Sequence, residues 1–252
     1  MRLAGIWRYP VKSLAGEALA RVTLEPGAEL PGDRRFALAH GRSNFDPEAP
    51  RWLPKSQFLA LVRNERLARL ECRLDEASGI LALRDRESSF AARTVLADAT
   101  DRTAFGAAVA AWMGAEAMGG VRLVEAPGLA FADVPAKTLT LIGHESLEDF
   151  GRASGQAMDA RRFRPNLLVE GLPPLEELGW EGRTLAVGGV RFEVLGRVDR
   201  CAAIEVDPDT AQRRSGPITA LQRLYGHVDM GIYLKTIAGG TISVGDSVAL
   251  ER

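Results

Sequence analysis

The chain has 252 residues, 46% hydrophobic and 26% charged, so it is long enough for one large or two small globular domains with a true core. Its formal net charge of −1 argues against a general nucleic-acid-binding protein. No apolar run approaches the length of about 18 residues that a membrane span needs, and the N-terminus lacks the apolar segment of a signal peptide. We therefore expect a cytoplasmic protein without nucleic-acid or membrane partners.

The first part of the chain, from Ile6 to about Leu96, is predicted to be built of β-strands. Short alternating runs of apolar residues are separated by turn residues, as at 19–24, 36–39 and 80–83. This pattern is typical of half-buried strands, because successive side chains of a strand point to opposite faces.

The pattern becomes helical at residues 101–113, where apolar side chains recur on one face. That face comprises Ala104, Phe105, Ala108, Val109, Trp112 and Met113. Thr100 or Asp101 is suited to cap the start of the helix, and Gly114 its end.

A Gly-, Ala- and Pro-rich segment follows, up to about Pro135, and predicts a boundary between a domain of residues 1–118 and one of residues 119–252. The second domain is expected to contain a strand at 138–142, a short amphipathic helix around residue 147 and further strands.

Near the end of the chain, residues 231–238 and 241–250 predict a hairpin joined by Gly239 and Gly240, which suit a two-residue turn. The fold class expected for the chain is mainly β with some α.

The chain has two cysteines, Cys72 and Cys201, and a disulfide between them is not expected in a cytosolic protein. Cys72 lies in an alternating run at 70–74 and is predicted to be a packed apolar residue. Cys201 differs, because Asp199 and Arg200 come directly before it, and a neighbouring cation favours the thiolate that binds metals. The usual zinc spacings are absent, so a metal at this thiolate would need further ligands from a cofactor.

A second polar segment lies upstream of Cys201, at residues 161–167. It carries three arginines and an asparagine within a few residues, as a site for a bound anion would require. The two segments together predict a soft metal ligand beside an anion site.

Five motifs recur in this order in MOSC-domain proteins, and the chain resembles such a protein, with its N-terminal β-barrel-like domain, essentially from end to end. The motifs are Tyr9-Pro-Val-Lys-Ser13, Gly32-Asp-Arg-Arg-Phe36, Arg162-Phe-Arg-Pro-Asn166, Arg200-Cys201 followed by Val206-Asp-Pro-Asp209, and Gly240-Thr-Ile-Ser-Val-Gly-Asp-Ser-Val248. The family includes the mitochondrial amidoxime-reducing component, its bacterial relatives and the C-terminal part of molybdenum cofactor sulfurase. The resemblance implies a MOSC β-barrel domain after the N-terminal one.

The resemblance also implies the molybdenum cofactor, a pterin with a dithiolene and a terminal phosphate, and the reduction of small N-hydroxylated or N-oxygenated substrates. The chain lacks the four-cysteine signature of a fused iron–sulfur domain, so electrons are expected from a separate ferredoxin- or flavin-type reductase. The alternative is a non-redox carrier of sulfur or cofactor that holds a persulfide on Cys201. A binding module without metal would leave the anion motifs unexplained. Pyridoxal phosphate binding is a further expectation by family analogy.

By position, the resemblance implies that Cys201 is the catalytic residue and the molybdenum ligand. The residues that it implies for cofactor binding are Lys12, Ser13, Arg34, Arg164, Asn166, Asp199, Arg200 and Tyr233. Arg35 competes with Arg34 for the same role, and Pro165 is expected to keep Arg164 extended.

Taken singly, these residues allow plainer roles. Cys201 could be an inert buried thiol, Lys12 and Ser13 a solvated turn, and Tyr233 a core residue. The chain also departs from the reducing members in two segments. Ala202-Ala-Ile-Glu205 stands where they usually carry threonine, and residues 51–57 lack their common Thr-Gln-Arg.

Overall fold

The computed structural model describes residues 1–126 and 128–251, and the described chain is mainly β, as predicted. Pro127 and Arg252, which the predicted second domain includes, lie outside the described residues. In chain order, the strands are β1 (Arg2–Arg8), β2 (Glu17–Leu19), β3 (Arg21–Leu24), β4 (Phe36–His40), β5 (Leu70–Asp75), β6 (Ile80–Asp85), β7 (Ala91–Val95), β8 (Val121–Glu125), β9 (Leu139–Gly143), β10 (Leu167–Glu170), β11 (Thr184–Val187), β12 (Val190–Asp199), β13 (Asp229–Ala238), β14 (Gly240–Ser243) and β15 (Val248–Leu250). The α-helices are α1 (Ala99–Met113), α2 (His144–Ser154), α3 (Ala160–Phe163) and α4 (Pro217–Tyr225). Short 3₁₀ helices cover Lys55–Gln57, Glu65–Arg69, Gly114–Ala117, Glu176–Gly179 and Ala202–Glu205.

The largest sheet has eight strands in the order β15-β11-β12-β13-β9-β10-β1-β2, so the first strand of the chain lies among strands from its second half. β1 is antiparallel to β10, and β10 is parallel to β9. The chain just before β15 returns to β1: the N–H of Leu3 donates to the carbonyl of Asp246 at 2.9 Å, and that of Val248 to the carbonyl of Met1 at 2.9 Å. These bonds bring the two ends of the strand order together around a core that contains Phe192 and Trp180.

A second core lies in the N-terminal part of the chain, between smaller sheets and α1. The strands pair as β4-β8 and as β5-β6-β7, and α1 packs against β7 and β8. Phe105 and Val109 of α1 and Cys72 of β5 are buried in this core, so the predicted packing role of Cys72 is confirmed. Strand pairing does not follow a division at residue 118, because β8 pairs with β4 while β1 joins the large sheet. The domain boundary stays a prediction.

The predicted helices are present, with one shift at a boundary. α1 begins at Ala99, two residues before the predicted start, because the carboxylate of Asp98 accepts the N–H groups of Thr100 and Asp101. Gly114 ends the helix with φ of 61°, as predicted. α2 contains the helical turn expected around residue 147.

The predicted C-terminal hairpin is wrong. β13 is hydrogen-bonded to β12 on one edge and to β9 on the other, so it has little free edge for the strand that follows. β14 pairs instead with β3, where Gly240 lies opposite Leu24. Gly239 permits this pairing, since a Cβ there would lie 2.5 Å from the carbonyl oxygen of Leu24.

Asp85 stabilises the N-terminal core through a buried ion pair. Its carboxylate accepts hydrogen bonds from Arg69 at 2.9 and 2.5 Å, from Ser88 at 2.5 Å and from the indole of Trp112 at 3.0 Å. Burial alone would raise the pKa of Asp85, but these donors outweigh burial and hold the pKa below its usual range. The ionised carboxylate is therefore part of the folded state.

Asp85→Ala is expected to lower the free energy of unfolding by about 3–5 kcal/mol, because it removes the buried acceptor shared by Arg69, Ser88 and Trp112 and leaves Arg69 paired only with Glu87. Since the pKa is depressed in the folded state, the contribution is present above the usual carboxyl pKa of about 4 and is lost as the pH falls below it. Urea denaturation of both proteins at pH 7 and pH 3 measures the difference. The exposed pair of Glu71 and Arg84 on the same sheet provides the control, since Glu71→Ala should cost about 1 kcal/mol or less. Equal effects of the two substitutions at pH 7 would contradict the prediction.

No helix within the described ranges is long and apolar enough to cross a membrane.

Candidate functional site

All nine predicted site residues line one cavity of about 220 Å³. They are Lys12, Ser13, Arg34, Arg164, Asn166, Asp199, Arg200, Cys201 and Tyr233. Their side chains come from the loops that follow β1 and α3, from the loop before β4, from the end of β12 and the loop after it, and from the side of β13. Residues far apart in sequence therefore meet where the large sheet faces the N-terminal core.

Three of the lining residues have left-handed backbone conformations that residues with a Cβ rarely adopt. Ser13 has φ of 66°, Arg34 of 49° and Arg164 of 54°. Such conformations cost roughly 1–3 kcal/mol each and cluster at functional sites, where the surrounding structure holds them in place. Their concentration around one cavity indicates that side-chain placement there takes precedence over relaxed backbone geometry.

Arg34, rather than Arg35, faces the cavity. Its guanidinium pairs with the buried carboxylate of Asp33 and donates to the carbonyl of Arg164 at 3.1 Å. Arg35 lies on the surface and pairs with Glu125 at 2.6 Å. The ambiguity between the neighbouring arginines is therefore settled in favour of Arg34 as the cavity residue.

Arg164 combines a buried charge with unused hydrogen-bonding capacity. Its guanidinium lies 4.2 Å from the centre of the Tyr9 ring, and its Nη1 donates to the carbonyl of Leu14. Its Nη2 is buried and has no hydrogen-bond partner among the described residues. Burial, together with repulsion from Arg34, lowers the pKa of Arg164 to about 10, so the folded chain does not compensate this cation fully.

The expected extended conformation of Arg164 before Pro165 is wrong. The N–H of Arg164 closes α3 by donating to the carbonyl of Ala160 at 3.1 Å, and this bond places Arg164 in the left-handed region. The turn directs the Arg164 side chain over Tyr9 and beside the cavity.

Arg200 and Asn166 line the cavity but already bind main-chain groups. The guanidinium of Arg200 donates to the carbonyl of Met230 at 2.7 Å and to that of Phe163 at 2.8 Å. Burial lowers the pKa of Arg200 to about 10. The Asn166 amide accepts from the N–H of Thr140 at 3.0 Å and donates to the carbonyl of Trp7 at 3.2 Å. These hydrogen bonds join the segments that form the cavity walls. The sequence motif alone did not reveal this structural role.

Cys201 is positioned at the end of β12, where it precedes the 3₁₀ helix Ala202–Glu205. It is partly exposed and lines the cavity. Cys72, in contrast, is 5% exposed, and burial raises the pKa of its thiol to about 12. The alternative that Cys201 is a buried thiol therefore does not fit its partial exposure.

Lys12 is buried rather than part of a solvated turn. Its Nζ donates to the carbonyl of Phe131 at 2.9 Å and to the carboxylate of Asp133 at 2.7 Å. Burial lowers the pKa of Lys12, and the Asp133 carboxylate opposes this shift. The ion pair fixes the ammonium at one place on the cavity wall.

Two charged residues of the cavity, Asp133 and Lys55, were missed by the sequence reasoning. Burial alone would lower the pKa of Lys55, but Asp133, Cys201 and Asp199 outweigh burial and raise it. Lys55 therefore keeps its positive charge beside the sulfur of Cys201. Asp133 falls in the Gly-, Ala- and Pro-rich segment, which carries no motif, whereas the departure of residues 51–57 from the family pattern was a signal for Lys55.

Tyr233 lies on β13 with its side chain half-buried at the cavity wall, so it is not simply a core residue. Asp199, the last residue of β12, lies close enough to influence both Lys55 and Tyr233 electrostatically.

Comparison with known protein families shows to which family the chain belongs. The model of the MOSC N-terminal beta barrel domain matches residues 1–118, and the model of the MOSC domain matches residues 128–249. The chain belongs to the MOSC-domain family. This MOSC protein is also similar to several curated relatives, each named molybdenum cofactor sulfurase.

The sulfurase of Anopheles gambiae is 37% identical over 94 residues, which cover 36% of the MOSC protein and 12% of the relative. That of Oryza sativa subsp. japonica is 32% identical over 134 residues, covering 44% and 16% of the two chains. That of Drosophila ananassae is 28% identical over 160 residues, covering 58% and 20%. The MOSC protein thus spans a fifth or less of the length of these relatives.

Among solved structures, the YUAD protein from Bacillus subtilis is 13% identical and has a TM-score of 0.46. The match covers 98% of the MOSC protein and 93% of that chain.

Proposed function

We propose that this MOSC protein binds the molybdenum cofactor in the cavity and reduces N-oxygenated substrates, with Cys201 as the protein ligand of the metal. The observation that carries the proposal is that a partly exposed thiol and several buried cations line the same cavity. Family membership and the sulfurase relatives support a function related to the molybdenum cofactor.

The donor set of the cavity fits the implied cofactor. The buried Nη2 of Arg164 has no protein partner and can donate to a phosphate, while Arg34 and Lys12 add positive charge nearby. The described residues contain no group of three or more His, Cys, Asp or Glu placed to hold a metal ion. A metal at Cys201 would accordingly take other ligands from the cofactor, and a thiolate suits a metal bound by dithiolene sulfur.

When bound, the cofactor supplies the two-electron redox chemistry, and the chain's own residues bind, orient and balance charge. Arg164, Arg34 and Lys12 would hold the anionic end. Lys55 keeps a proton at Nζ and places a positive charge beside the Cys201 sulfur. Asp133 holds Lys12 in place through an ion pair, and its negative charge also favours the protonated form of Lys55.

A sulfur or cofactor carrier is the second candidate, favoured by the relatives whose printed name is molybdenum cofactor sulfurase. In that case the Cys201 thiolate would attack the outer sulfur of a persulfide on a desulfurase, which breaks the S–S bond of the donor, releases its cysteine as a thiolate and leaves the persulfide on Cys201. Pyridoxal phosphate binding stays an untested expectation.

Substrate reduction with two electron donors distinguishes the two candidates. Cofactor-loaded protein is expected to reduce an N-hydroxylated substrate with reduced viologen but not with NADH alone, because the sequence has no nucleotide-binding glycine motif and no iron–sulfur cysteines. Adding a separate ferredoxin- or flavin-type reductase should restore the NADH-linked reaction. The carrier predicts no turnover with either donor.

Mass spectrometry of Cys201 after treatment with a desulfurase provides the complementary measurement. A sulfur adduct on Cys201, together with no viologen-driven turnover across several N-oxygenated substrates, would reject the reductase in favour of the carrier.

A further inference from the structure

The chain that follows Cys201 folds back on itself as residues 201–214, here called the Cys201 hairpin. The N–H of Asp207 donates to the carbonyl of Gln212 at 2.9 Å, and that of Arg214 to the carbonyl of Glu205 at 3.0 Å. An isolated bridge pairs Val206 with Arg213. The hairpin thus carries the cavity thiol at its start and Arg213 near its end.

Arg213 joins the Cys201 hairpin to the N-terminal part of the chain. Its Nη1 donates to the carbonyl of Ala202, the residue after Cys201, at 2.8 Å. Its Nη2 donates to the carbonyl of Leu61 at 2.7 Å. Glu65, at 3.4 Å, and Glu205, at 3.8 Å, flank the guanidinium and balance its charge.

One carbonyl belongs to Leu61, which lines the cavity, and the other to Ala202, which directly precedes the lining residue Ala203. Leu61 lines the cavity from the N-terminal side, while Ala203 lines it from the hairpin, and both residues also border a second cavity of about 150 Å³. A planar guanidinium with two separate donors suits this bridge, because its fork spans two acceptors at fixed geometry.

The far end of the hairpin has its own contact with the N-terminal part. Nη2 of Arg86 donates to the carbonyl of Pro208 at 2.6 Å and to that of Ala68 at 2.7 Å. Arg86 thus holds the tip, Val206 is buried in the N-terminal core, and Arg213 supplies the hydrogen bond to Leu61 at the base of the hairpin.

We propose that Arg213 is a positioning residue that holds the base of the Cys201 hairpin against Leu61 and thereby controls access to Cys201. The effect of Arg213 on access to Cys201 does not require a bound cofactor. Its effect on cofactor retention rests on the proposed function. Separation of the hairpin from Leu61 breaks the bond between Arg213 and Leu61, whereas Ala202 belongs to the hairpin itself. Because the bond to Leu61 is charge-assisted, its loss should raise the population of the open hairpin about tenfold.

The test compares Arg213→Ala with Arg214→Ala, a neighbouring exposed arginine for which the described chain shows no side-chain hydrogen bond or ion pair. In cofactor-free protein, mass spectrometry follows alkylation of Cys201 by iodoacetamide and hydrogen exchange of residues 202–206. Arg213→Ala should speed both about tenfold, and Arg214→Ala should leave both unchanged. In loaded protein, molybdenum should be released faster from Arg213→Ala alone.

Arg213→Lys distinguishes the hydrogen bonds of the guanidinium from the effect of its positive charge. It also provides a second test if Arg213→Ala does not fold. It keeps attraction to Glu65 and Glu205 but lacks the fork, so alkylation should remain well above the wild-type rate. Wild-type alkylation and exchange in Arg213→Lys, or in a folded Arg213→Ala, would overturn the proposal. If both rates rise but no variant, wild type included, ever binds molybdenum, the positioning role stands and the proposed function fails.

Discussion

Cys201→Ala is expected to lose nearly all bound molybdenum and all substrate reduction. Cys201 is the partly exposed thiol of the cavity, and the cavity offers no second sulfur ligand among its lining residues. Metal analysis of protein produced in a host that makes the cofactor measures the loss, alongside turnover with reduced viologen.

Cys72→Ala is the matched control for the loss of a thiol. Cys72 is packed in the N-terminal core, so its removal should cost a modest amount of stability through lost contacts and leave metal content unchanged. Full molybdenum and full turnover in Cys201→Ala would show that the ligand assignment is wrong.

Arg164→Ala is expected to weaken cofactor retention about tenfold to a hundredfold, because a charge-assisted hydrogen bond contributes roughly 1.5–3 kcal/mol. Arg164 is the arginine of the cavity that has a buried nitrogen without a partner among the described residues. Arg164→Lys should restore little, since an ammonium cannot reproduce both the contact with Leu14 and a second contact with the ligand. Equilibrium dialysis followed by cofactor analysis measures retention, and thermal unfolding checks that each variant is folded.

Arg35→Ala provides the control for the removal of an arginine near the cavity. It removes the same charge from a surface position beside Arg34, where the guanidinium pairs with Glu125, and it should leave retention unchanged. Equal retention by Arg164→Ala, Arg164→Lys and the wild type would place the anion site elsewhere in the molecule.

Local sequence patterns predicted where the helices and strands lie better than they predicted which strands pair with each other. The alternating run around Cys72 and the apolar face of α1 are properties of neighbouring residues, so periodicity reveals them. The pairing of β14 with β3 depends on which strand edges remain free after the large sheet has formed. Adjacent runs joined by Gly239 and Gly240 therefore resemble a hairpin that the complete fold does not allow.

The ordered motifs likewise predicted which residues surround the cavity but not what their side chains do there. Arg164 and Arg200 look equivalent in the sequence, yet one retains a free nitrogen while the other donates to the carbonyls of Met230 and Phe163. Side-chain direction depends on main-chain groups brought in from distant segments. The same dependence explains why Lys55 joined the site only in the folded structure.

The position of β1 within the large sheet has a consequence for the order of folding during synthesis. β1 is translated before nearly all of the chain, but its neighbour β10 begins at Leu167, and its contacts with residues 245–248 are completed later still. Until those residues leave the ribosome, β1 can pair only with its neighbour β2, and the edge that later pairs with β10 has unpaired backbone groups of the kind that promote association between chains. Pairings so distant in sequence also slow folding, so growth at lower temperature, which slows association, should raise the soluble yield.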